Sequence, residues 1–522
     1  MNKKTINAFV VASLLFGACD HFPGHPSSPE QLTGFTQISN IQLQGGNTAA
    51  EISAYDPKTK RLFVVNAVKQ AIDVLDMSDP FDLQYIQDIN ISVYGAGVNS
   101  VSVKNGLLAA AIESSPKTDP GYVVVWKTDD LSERAVVQVG SLPDMVKFSP
   151  DGKFIVSANE GEPNEDYTID PEGSISIIDV SNGFSVKTLG FSSFNNRVAQ
   201  LKSKGYRISG PAGTTLAQDT EPEYVAISED SKTAWVTLQE NNGIAKVNLM
   251  SKRIEDIFPL GRLDHSLPGN ELDPSDRDNA IVFRNYPVKG IFMPDGIESY
   301  RVGGNNFIVT VNEGDSRVRP TSDDALPPYA EGELFNEEAR INDVALDPVK
   351  FPNAAALKAE AGRLKITNRD GDTDGDGDFD ELHTFGTRSF TIWNGQNGNR
   401  VYDSGNKLTA FLMQHRPDLY DDSRSDDKGV EPENLAVGKI GNRTIAFLGL
   451  ERADAIVVVD ITSPNSPVYL QVLATNDAPE GVLFIPAKDS PNKRSTLVVS
   501  CEGDGVVNVF QMSATEEEMA NF

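Results

Sequence analysis

The sequence predicts an all-β fold, a seven-bladed β-propeller, and three observations support this. A unit of short apolar strands recurs seven times, and its period of roughly 40–50 residues is typical of propeller blades rather than helical solenoids. The clearest copies open with Pro and a carboxylate and end their second strand in an acidic or polar cluster. Helical periodicity is confined to short stretches, chiefly 194–204 and 353–363.

The predicted blades follow one another through residues 35–512, with the fifth interrupted by an insertion. They are placed at 51–80, 99–131, 143–180, 222–254, 294–315 with a return near 388, 432–468 and 479–512. The spacing between copies then requires three excursions out of the ring, at about 182–221, 255–293 and 315–388. Loops of this length in a compact domain are usually functional or disordered.

The N-terminal segment Phe35–Leu43 alternates like a strand but has no blade of its own, while the seventh blade stops after its third strand. We therefore predict that this segment supplies the missing outer strand of blade seven. Such a closure removes an exposed strand edge that would otherwise invite aggregation. An extended linker is the alternative interpretation.

The first residues have the pattern of an export signal. Lys3 and Lys4 precede an apolar run, and small residues stand directly before Cys19. This predicts a signal peptide at 1–18 and a lipoprotein in which Cys19 becomes the lipidated first residue. An ordinary signal peptide, with Cys19 incidental, is the alternative.

A Pro- and Ser-rich stretch, 19–34, then predicts a tether of the kind an anchored domain needs. We expect the protein to lie in the cell envelope, in the periplasm or on the cell surface, as a monomer that touches the membrane only through its lipid. The sequence has no later apolar run long enough to span a bilayer. Residues 513–522 are interpreted as a tail.

The formal net charge of −29 over 522 residues argues against a nucleic-acid partner and favours bound cations. The alternative explanation of the excess of acidic residues is a solvated surface suited to saline surroundings. If Cys19 carries lipid, Cys501 has no partner for a disulfide. Blade packing and bound ions are then expected to hold the fold together.

The third excursion contains the strongest local motif, a predicted calcium loop at 370–381. Asp at positions 1, 3, 5 and 9, Gly at 6 and Glu at 12 match a twelve-residue calcium loop. A register shifted by two residues would put Phe379 at the usual apolar position but His383 at the last, where it is a poor calcium ligand. A merely acidic loop is the alternative. We expect the ion to be structural rather than catalytic, because a loop within an insertion can use an ion in place of a missing hydrophobic core. The candidate ligands are Asp370, Asp372, Asp374, Asp376, Asp378 and Glu381.

A second predicted site is a ring of acids at one mouth of the central channel. Inner strands of a propeller start at one face, and the turn after each second strand returns to that face. Crowded carboxylates cannot all stay ionised without cations nearby, and oxygen ligands without a His cluster favour calcium or magnesium over zinc. The alternative is that these acids cap turns and pair with Arg or Lys. The candidate metal ligands are Glu160, Glu223, Asp295, Glu433 and Glu480, expected to converge with Asp144, Glu313, Glu451 and Glu502.

Basic residues beside these acids suggest a metal-dependent phosphoesterase acting on a small phosphorylated substrate. Arg fits phosphate through its planar fork, and a metal ion with Arg offsets the charge of phosphoryl transfer. The same residues could equally be structural partners of the acids, in a calcium-binding surface or adhesion module that recognises a surface ligand without turnover. The candidate catalytic residues are Glu313, Asp315, Arg317, Arg340, Arg424 and Lys428. The motifs of serine hydrolases, P-loop enzymes, zincins and dinucleotide-binding proteins are absent from the sequence.

Several segments resemble the choice-of-anchor I family of bacterial proteins, which are also similar to mesenchyme-specific cell-surface glycoproteins and to parts of atypical alkaline phosphatases. The resemblance implies a secreted or anchored propeller with calcium and, more weakly, alkaline phosphatase or phytase-like activity. It supplies no catalytic residues. It covers about 35–512 and is carried by 159–164, 293–297, 312–317, 371–382, 423–433 and 448–452.

Overall fold

The computed structural model of the chain describes residues 34–321 and 330–513. In these ranges the fold is built on seven antiparallel sheets of four strands each. We number the sheets 1 to 7 along the chain by the edge strand that begins each one, from Ser53–Asp56 to Pro479–Ile485, and call that strand the first strand of its sheet. The predicted all-β class is confirmed. The predicted signal peptide, Cys19, nearly all of the tether and the tail from 514 lie outside the described residues.

Within six of the seven sheets the neighbouring strands follow one another along the chain, and sheet 7 differs in its fourth strand. Sheets 1 to 4 consist of Ser53–Asp56, Arg61–Asn66, Ala71–Asp76 and Gln84–Asn90; Gly97–Lys104, Leu107–Glu113, Pro120–Lys127 and Glu133–Ser141; Pro143–Phe148, Phe154–Asn159, Ser174–Asp179 and Ser185–Gly190; and Pro222–Ile227, Thr233–Leu238, Gly243–Asn248 and Arg253–Pro259. Sheets 5 to 7 consist of Ile297–Val302, Asn305–Val311, Phe390–Asn394 and Arg400–Asp403; Pro432–Ile440, Arg443–Leu450, Ala455–Asp460 and Val468–Ala474; and Pro479–Ile485, Thr496–Cys501, Val506–Met512 and Phe35–Gln42.

The fourth strand of sheet 7 comes from the N-terminal end of the described chain. Phe35–Gln42 pairs antiparallel with Val506–Met512, from Phe35 opposite Met512 to Gln42 opposite Val506. Phe35 is 1% exposed, and its ring lies 5.2 Å from that of Phe447 in sheet 6, nearly perpendicular to it. The strand is thus fixed by backbone pairing to one sheet and by aromatic packing to the next.

The first strands of the sheets line one common cavity, which we call the channel. Those of sheets 1 and 2, 2 and 3, and so on to 7 and 1, contact each other in turn. A cavity of about 200 Å³ is lined by residues from the first strands of all seven sheets. Lys147 of sheet 3 and Glu298 of sheet 5 form a salt bridge there, 2.5 Å from Nζ to Oε1. The first strand of sheet 4 contacts those of both sheet 3 and sheet 5. The salt bridge therefore joins the sheets on either side of sheet 4 and spans part of the channel.

The excursions begin later than the sequence suggested. Residues 185–190 and 253–259 form the fourth strands of sheets 3 and 4, although the predicted excursions start at 182 and 255. Five of the six residues in the first of these strands are exposed. An outer strand that faces solvent carries little apolar signal, which is why the pattern of the sequence missed its place in the sheet.

The excursions contribute short elements and a small core of their own. Leu272, Tyr286, Ile341, Leu364 and Leu382 are among the buried residues of that core. The helices of the excursions are Val198–Lys202, Leu216–Asp219 and Ala354–Ala361, and their short strands are Arg262–Asp264, Lys289–Ile291, Val318–Arg319, Phe335–Asn336, Glu338–Arg340, Lys365–Thr367 and His383–Thr384. A further helix, Lys407–His415, follows the fourth strand of sheet 5. No helix among the described residues has the length and apolar character needed to cross a membrane.

We predict that Phe35→Ala lowers the free energy of unfolding by about 3–5 kcal/mol, because it removes a buried aromatic side chain between sheets 6 and 7. Chemical denaturation followed by circular dichroism measures the change. Thr36→Ala, at the exposed neighbouring position, is the matched control and should change stability by less than about 0.5 kcal/mol. Equal effects of the two substitutions would show that the N-terminal strand does not hold the sheets together.

Candidate metal centre

A repeated main-chain hydrogen bond brings acidic residues to one end of the first strands. In sheets 3, 6 and 7 the acid after the second strand donates its N–H to the carbonyl of the residue just before the first strand. That preceding residue has a φ of 46°, 46° and 53°, respectively, a conformation that residues other than Gly seldom adopt. The bonds run from Glu160 to Leu142 (2.8 Å), from Glu451 to Glu431 (2.9 Å) and from Glu502 to Ala478 (2.8 Å). The carboxylates that open the first strand and follow the second are therefore neighbours.

Carboxylates of successive sheets meet at this end of the channel, in a group that we call the acidic mouth. Burial, followed by the charges of Glu451 and Glu480, raises the pKa of Glu433 well above its ordinary value. Burial, followed by Glu162, raises the pKa of Asp144 to about 7. The acidic mouth comprises Glu51, Asp144, Glu160, Glu223, Glu240, Asp295, Glu313, Glu433, Glu451, Glu480 and Glu502. The structure thus brings together the acids that the repeat placed at the strand ends.

Three members of the acidic mouth lie close enough to share one ion. Asp295, Glu313 and Glu433 each offer a carboxylate oxygen, and these atoms lie within 4.8 Å of one another. We call them the first triad. Asp295 and Glu313 are each 9% exposed. Burial and the charge of Glu313 raise the pKa of Asp295 well above its ordinary value, as expected for like charges packed together away from water.

Two of the three carboxylates in the first triad have no basic partner. Among the described residues, neither Asp295 nor Glu433 makes a side-chain hydrogen bond or salt bridge, and Glu433 Oε2 is buried without a partner. Glu313 differs, because its Oε1 lies 2.5 Å from Lys428 Nζ and its Oε2 accepts a hydrogen bond of 2.9 Å from Gln239 Nε2. The first triad therefore has one ion-paired carboxylate and two that make no ion pair with a described side chain, although the charge of Lys428 also acts on Asp295 and partly opposes the rise of its pKa.

The basic residues predicted to face a phosphate group are held by carboxylates instead. Arg317 is 4% exposed, and its guanidinium binds Asp219 at 3.0 Å and Glu221 at 2.8 Å. The other pairs join Arg340 to Asp426, Arg424 to Glu431 and Lys428 to Glu313. Asp315 lies near Lys428, at 3.8 Å. Of the predicted catalytic residues, the structure gathers Glu313, Asp315 and Lys428 at the mouth, with Arg424 nearby through Glu431 and Arg340 paired elsewhere.

The predicted calcium loop gathers its middle residues and not its ends. Asp372, Asp374 and Asp380 lie with ligand oxygens within 4.8 Å of one another, as do Asp347, Asp378 and Asp380. Asp380 is shared by the two groups, and Asp378 Oδ1 is buried without a hydrogen-bond partner. Asp376 belongs to neither group.

The terminal residues of the predicted loop are engaged by bases. Asp370 Oδ2 lies 2.8 Å from Nε of the buried Arg207, and Glu381 Oε1 lies 2.6 Å from Lys289 Nζ. Arg207 also contacts Glu337, at 2.5 Å. The gathered carboxylates thus differ from the ligands expected for a calcium loop at 370–381. Asp372, Asp374 and Asp380 occupy positions 1, 3 and 9 of the loop that begins two residues later.

Sequence reasoning did not include several acids of these sites among its candidate ligands. Glu51 stands before the first strand of sheet 1 without the Pro that marks the other copies, although burial and Glu502 raise its pKa to about 8. Glu240 is 5% exposed with a buried, unpartnered Oε2, and its Gln239-Glu240 pair follows the repeat. Asp347 lies outside the loop motif and reaches it through the pairing of Leu346 with Phe379.

Comparisons with known proteins agree with the resemblance drawn from the residues. The chain is 27% identical over 326 residues to a mesenchyme-specific cell surface glycoprotein of Strongylocentrotus purpuratus, covering 55% of this chain and 42% of that protein. It is also 27% identical over 192 residues to Gigasin-3a of Magallana gigas, covering 31% of this chain and 67% of that one. The chain therefore spans less than half the length of the glycoprotein.

Solved structures with a similar course of the chain share little sequence with it. Kuenenia stuttgartiensis hydrazine synthase aligns with a TM-score of 0.48 and 13% identity, covering 91% of this chain and 97% of that one. The WD40 domain of Toxoplasma gondii coronin aligns with a TM-score of 0.46 and 8% identity, covering 93% and 88%. The model of the choice-of-anchor I domain matches residues 51–464. Since this match covers more than half of the sequence, the chain belongs to the choice-of-anchor I domain family.

Proposed function

We propose that this protein is a divalent-cation-binding β-propeller of the cell surface, and that calcium binds at its acidic mouth. The observation that carries the proposal is the first triad, in which Asp295 and Glu433 lie beside Glu313 without a basic partner among the described residues. An uncompensated group of carboxylates removed from water is costly unless its charge is neutralised. A bound cation supplies that charge.

The chemistry of the mouth favours a hard cation. All three residues of the first triad offer carboxylate oxygens, which suit calcium, magnesium or manganese better than the softer transition metals. Calcium accepts six to eight oxygen ligands in flexible geometry, whereas magnesium demands a near-ideal octahedron. A cluster assembled from two different sheets, with further acids around it, suits the more tolerant ion.

The proposed architecture is a single closed ring of seven blades, one for each four-stranded sheet. Contacts between successive first strands, including those of sheets 7 and 1, support it, as does the fourth strand of sheet 7 contributed by Phe35–Gln42. A cell-surface location draws on the name of the sea-urchin relative. Lipid attachment at Cys19 stays a proposal from the sequence.

We propose a second calcium position in the loop of the third excursion, held by Asp372, Asp374 and Asp380. The three carboxylates are already close together. Asp372 also accepts N–H groups of Gly375 (2.7 Å) and Gly377 (3.1 Å), which orients it within the tight turn. This ion would brace a segment that has only a small core of its own.

Catalysis of phosphate-ester hydrolysis is the less favoured function. A phosphate group would have to displace carboxylates from Arg317 and Arg424, because both guanidinium groups are already engaged. Truncating or displacing one partner of a buried ion pair leaves an uncompensated charge and is strongly unfavourable. A binding module without turnover therefore agrees better with the geometry.

We predict that Asp295→Asn removes one equivalent of bound calcium, since it neutralises a ligand of the first triad that has no other partner. Equilibrium dialysis followed by elemental analysis measures calcium bound per chain. The control is Glu229→Gln, which changes an exposed acid in the turn after the first strand of sheet 4, and its calcium content should stay that of the parent protein. Identical calcium content in both variants would refute an ion at the first triad.

For the loop, Asp380→Asn is expected to lower the calcium-induced rise in melting temperature by several degrees, because Asp380 belongs to both groups of gathered carboxylates. Asp376→Asn is the matched control within the same loop and should retain most of the rise. Differential scanning fluorimetry with calcium and with chelator gives both values. Equal losses in the two variants would mean that the loop does not use the gathered residues.

Assayed on a generic phosphate monoester, the purified mature protein should release phosphate no faster than the buffer blank, with calcium or with chelator present. The arginines that such chemistry needs are already paired. Turnover that disappears on chelation and also in Glu313→Gln would overturn this expectation and favour the phosphoesterase.

A further inference from the structure

A second group of carboxylates adjoins the first triad and shares one residue with it. Glu313, Glu431 and Glu451 have ligand oxygens within 4.8 Å of one another, and we call them the second triad. They are 9%, 0% and 8% exposed, respectively. By geometry alone the acidic mouth, together with the adjoining Glu431, therefore offers two adjacent cation positions joined through Glu313.

The two triads differ in what neutralises them. In the second triad Lys428 Nζ lies 2.5 Å from Glu313 Oε1 and 3.5 Å from Glu431 Oε2. Arg424 Nη2 lies 2.6 Å from Glu431 Oε1, and Arg452 Nη2 lies 3.0 Å from Glu451 Oε1. In the first triad, Asp295 and Glu433 have no such contact among the described side chains.

Lys428 is placed as a metal ion would be. Its ammonium group is within 4 Å of oxygens from two acidic side chains of the second triad and lies 3.8 Å from Asp315 Oδ1. The two arginines bind Glu431 and Glu451 through their Oε1 atoms, and Arg452 Nε also lies 3.5 Å from Glu431 Oε2. The ammonium group is a compact point charge with three donors, so it supplies between these oxygens the positive charge that a small cation would supply.

We infer that Lys428 is a built-in cation that fills the second of two adjacent carboxylate positions, so that the acidic mouth binds one divalent ion instead of two. This inference rests on the proposed function, since it concerns the number of ions that the same mouth accepts. Lys428 also restrains Glu313, whose other oxygen accepts a hydrogen bond from Gln239. Glu313 is thereby kept facing both triads, and Lys428 sets the capacity of the mouth.

The test replaces Lys428 by a neutral residue and counts bound calcium. Lys428→Met keeps much of the length of the side chain and removes its charge, and Lys428→Gln does the same while keeping a hydrogen-bond donor for Glu313. Folding of each variant is checked by circular dichroism and thermal melting, and the variant that folds is carried forward. We expect one more equivalent of calcium per chain than in the parent protein, measured by equilibrium dialysis against calcium and elemental analysis.

Two companion variants make the result specific. Lys428→Arg keeps the positive charge and should keep the parental calcium count. Adding Glu451→Gln to the neutral Lys428 variant should abolish the extra equivalent, because it removes a ligand of the second triad. A neutral Lys428 variant that folds and binds only the parental amount of calcium would overturn the inference.

Failure of this inference can be told from failure of the proposed function. If the first triad binds no ion, Asp295→Asn leaves the calcium count of the parent protein unchanged, and the proposed function itself is wrong. If Asp295→Asn removes one equivalent while the neutral Lys428 variants add none, the first triad is an ion site and Lys428 does not replace a second ion.

Discussion

The constraint on which the site depends is a main-chain hydrogen bond that recurs in sheets 3, 6 and 7. By joining the N–H of the acid after the second strand to the carbonyl before the first strand, as from Glu451 to Glu431, it fixes two acidic side chains next to each other. Repetition around the channel then crowds like charges that burial keeps from water. Because the backbone bonds hold these carboxylates close together, they repel one another. The repulsion has to be offset by positive charge from basic side chains or from ions bound from solution.

Basic side chains of the protein offset the negative charge at some of these acids and not at others. Around Glu431 it supplies Arg424, Arg452 and Lys428, whereas Asp295 and Glu433 make no ion pair with a described residue. Part of the large formal negative charge therefore belongs to buried carboxylates that pair with Arg or Lys, and not only to acids on a solvated surface. They also explain why basic residues beside acids are weak evidence for phosphate chemistry, since in this protein the acids are what they bind.

The sequence predicted those strands whose burial requires a continuous run of apolar residues. Second and third strands such as Arg443–Leu450 and Ala455–Asp460 are almost wholly buried, and their continuous apolar runs reveal the repeat. Outer strands such as Ser185–Gly190 are exposed and carry no comparable signal. The meeting of acids at one channel end followed from the repeat, because equivalent positions of equivalent units must face the same way. Glu51 lacked only the preceding Pro.

What the sequence could not give were contacts between excursions that are remote along the chain. Arg317 binds Asp219, 98 residues away, and Arg207 binds Asp370, 163 residues away. No local pattern encodes such pairs, because they depend on how two irregular segments fold over the same sheets. For that reason the loop motif correctly marked a cluster of aspartates, while the fate of its first and last carboxylates was visible only in three dimensions.

The salt bridge between Lys147 and Glu298 joins the first strand of sheet 3 to that of sheet 5 inside the cavity that all seven first strands line. It therefore crosslinks two sheets that are not neighbours, in addition to the contacts that join each first strand to the next. Loss of either charge would leave the other without this partner, so the pair ties the spacing of these two sheets to an electrostatic contact inside the cavity.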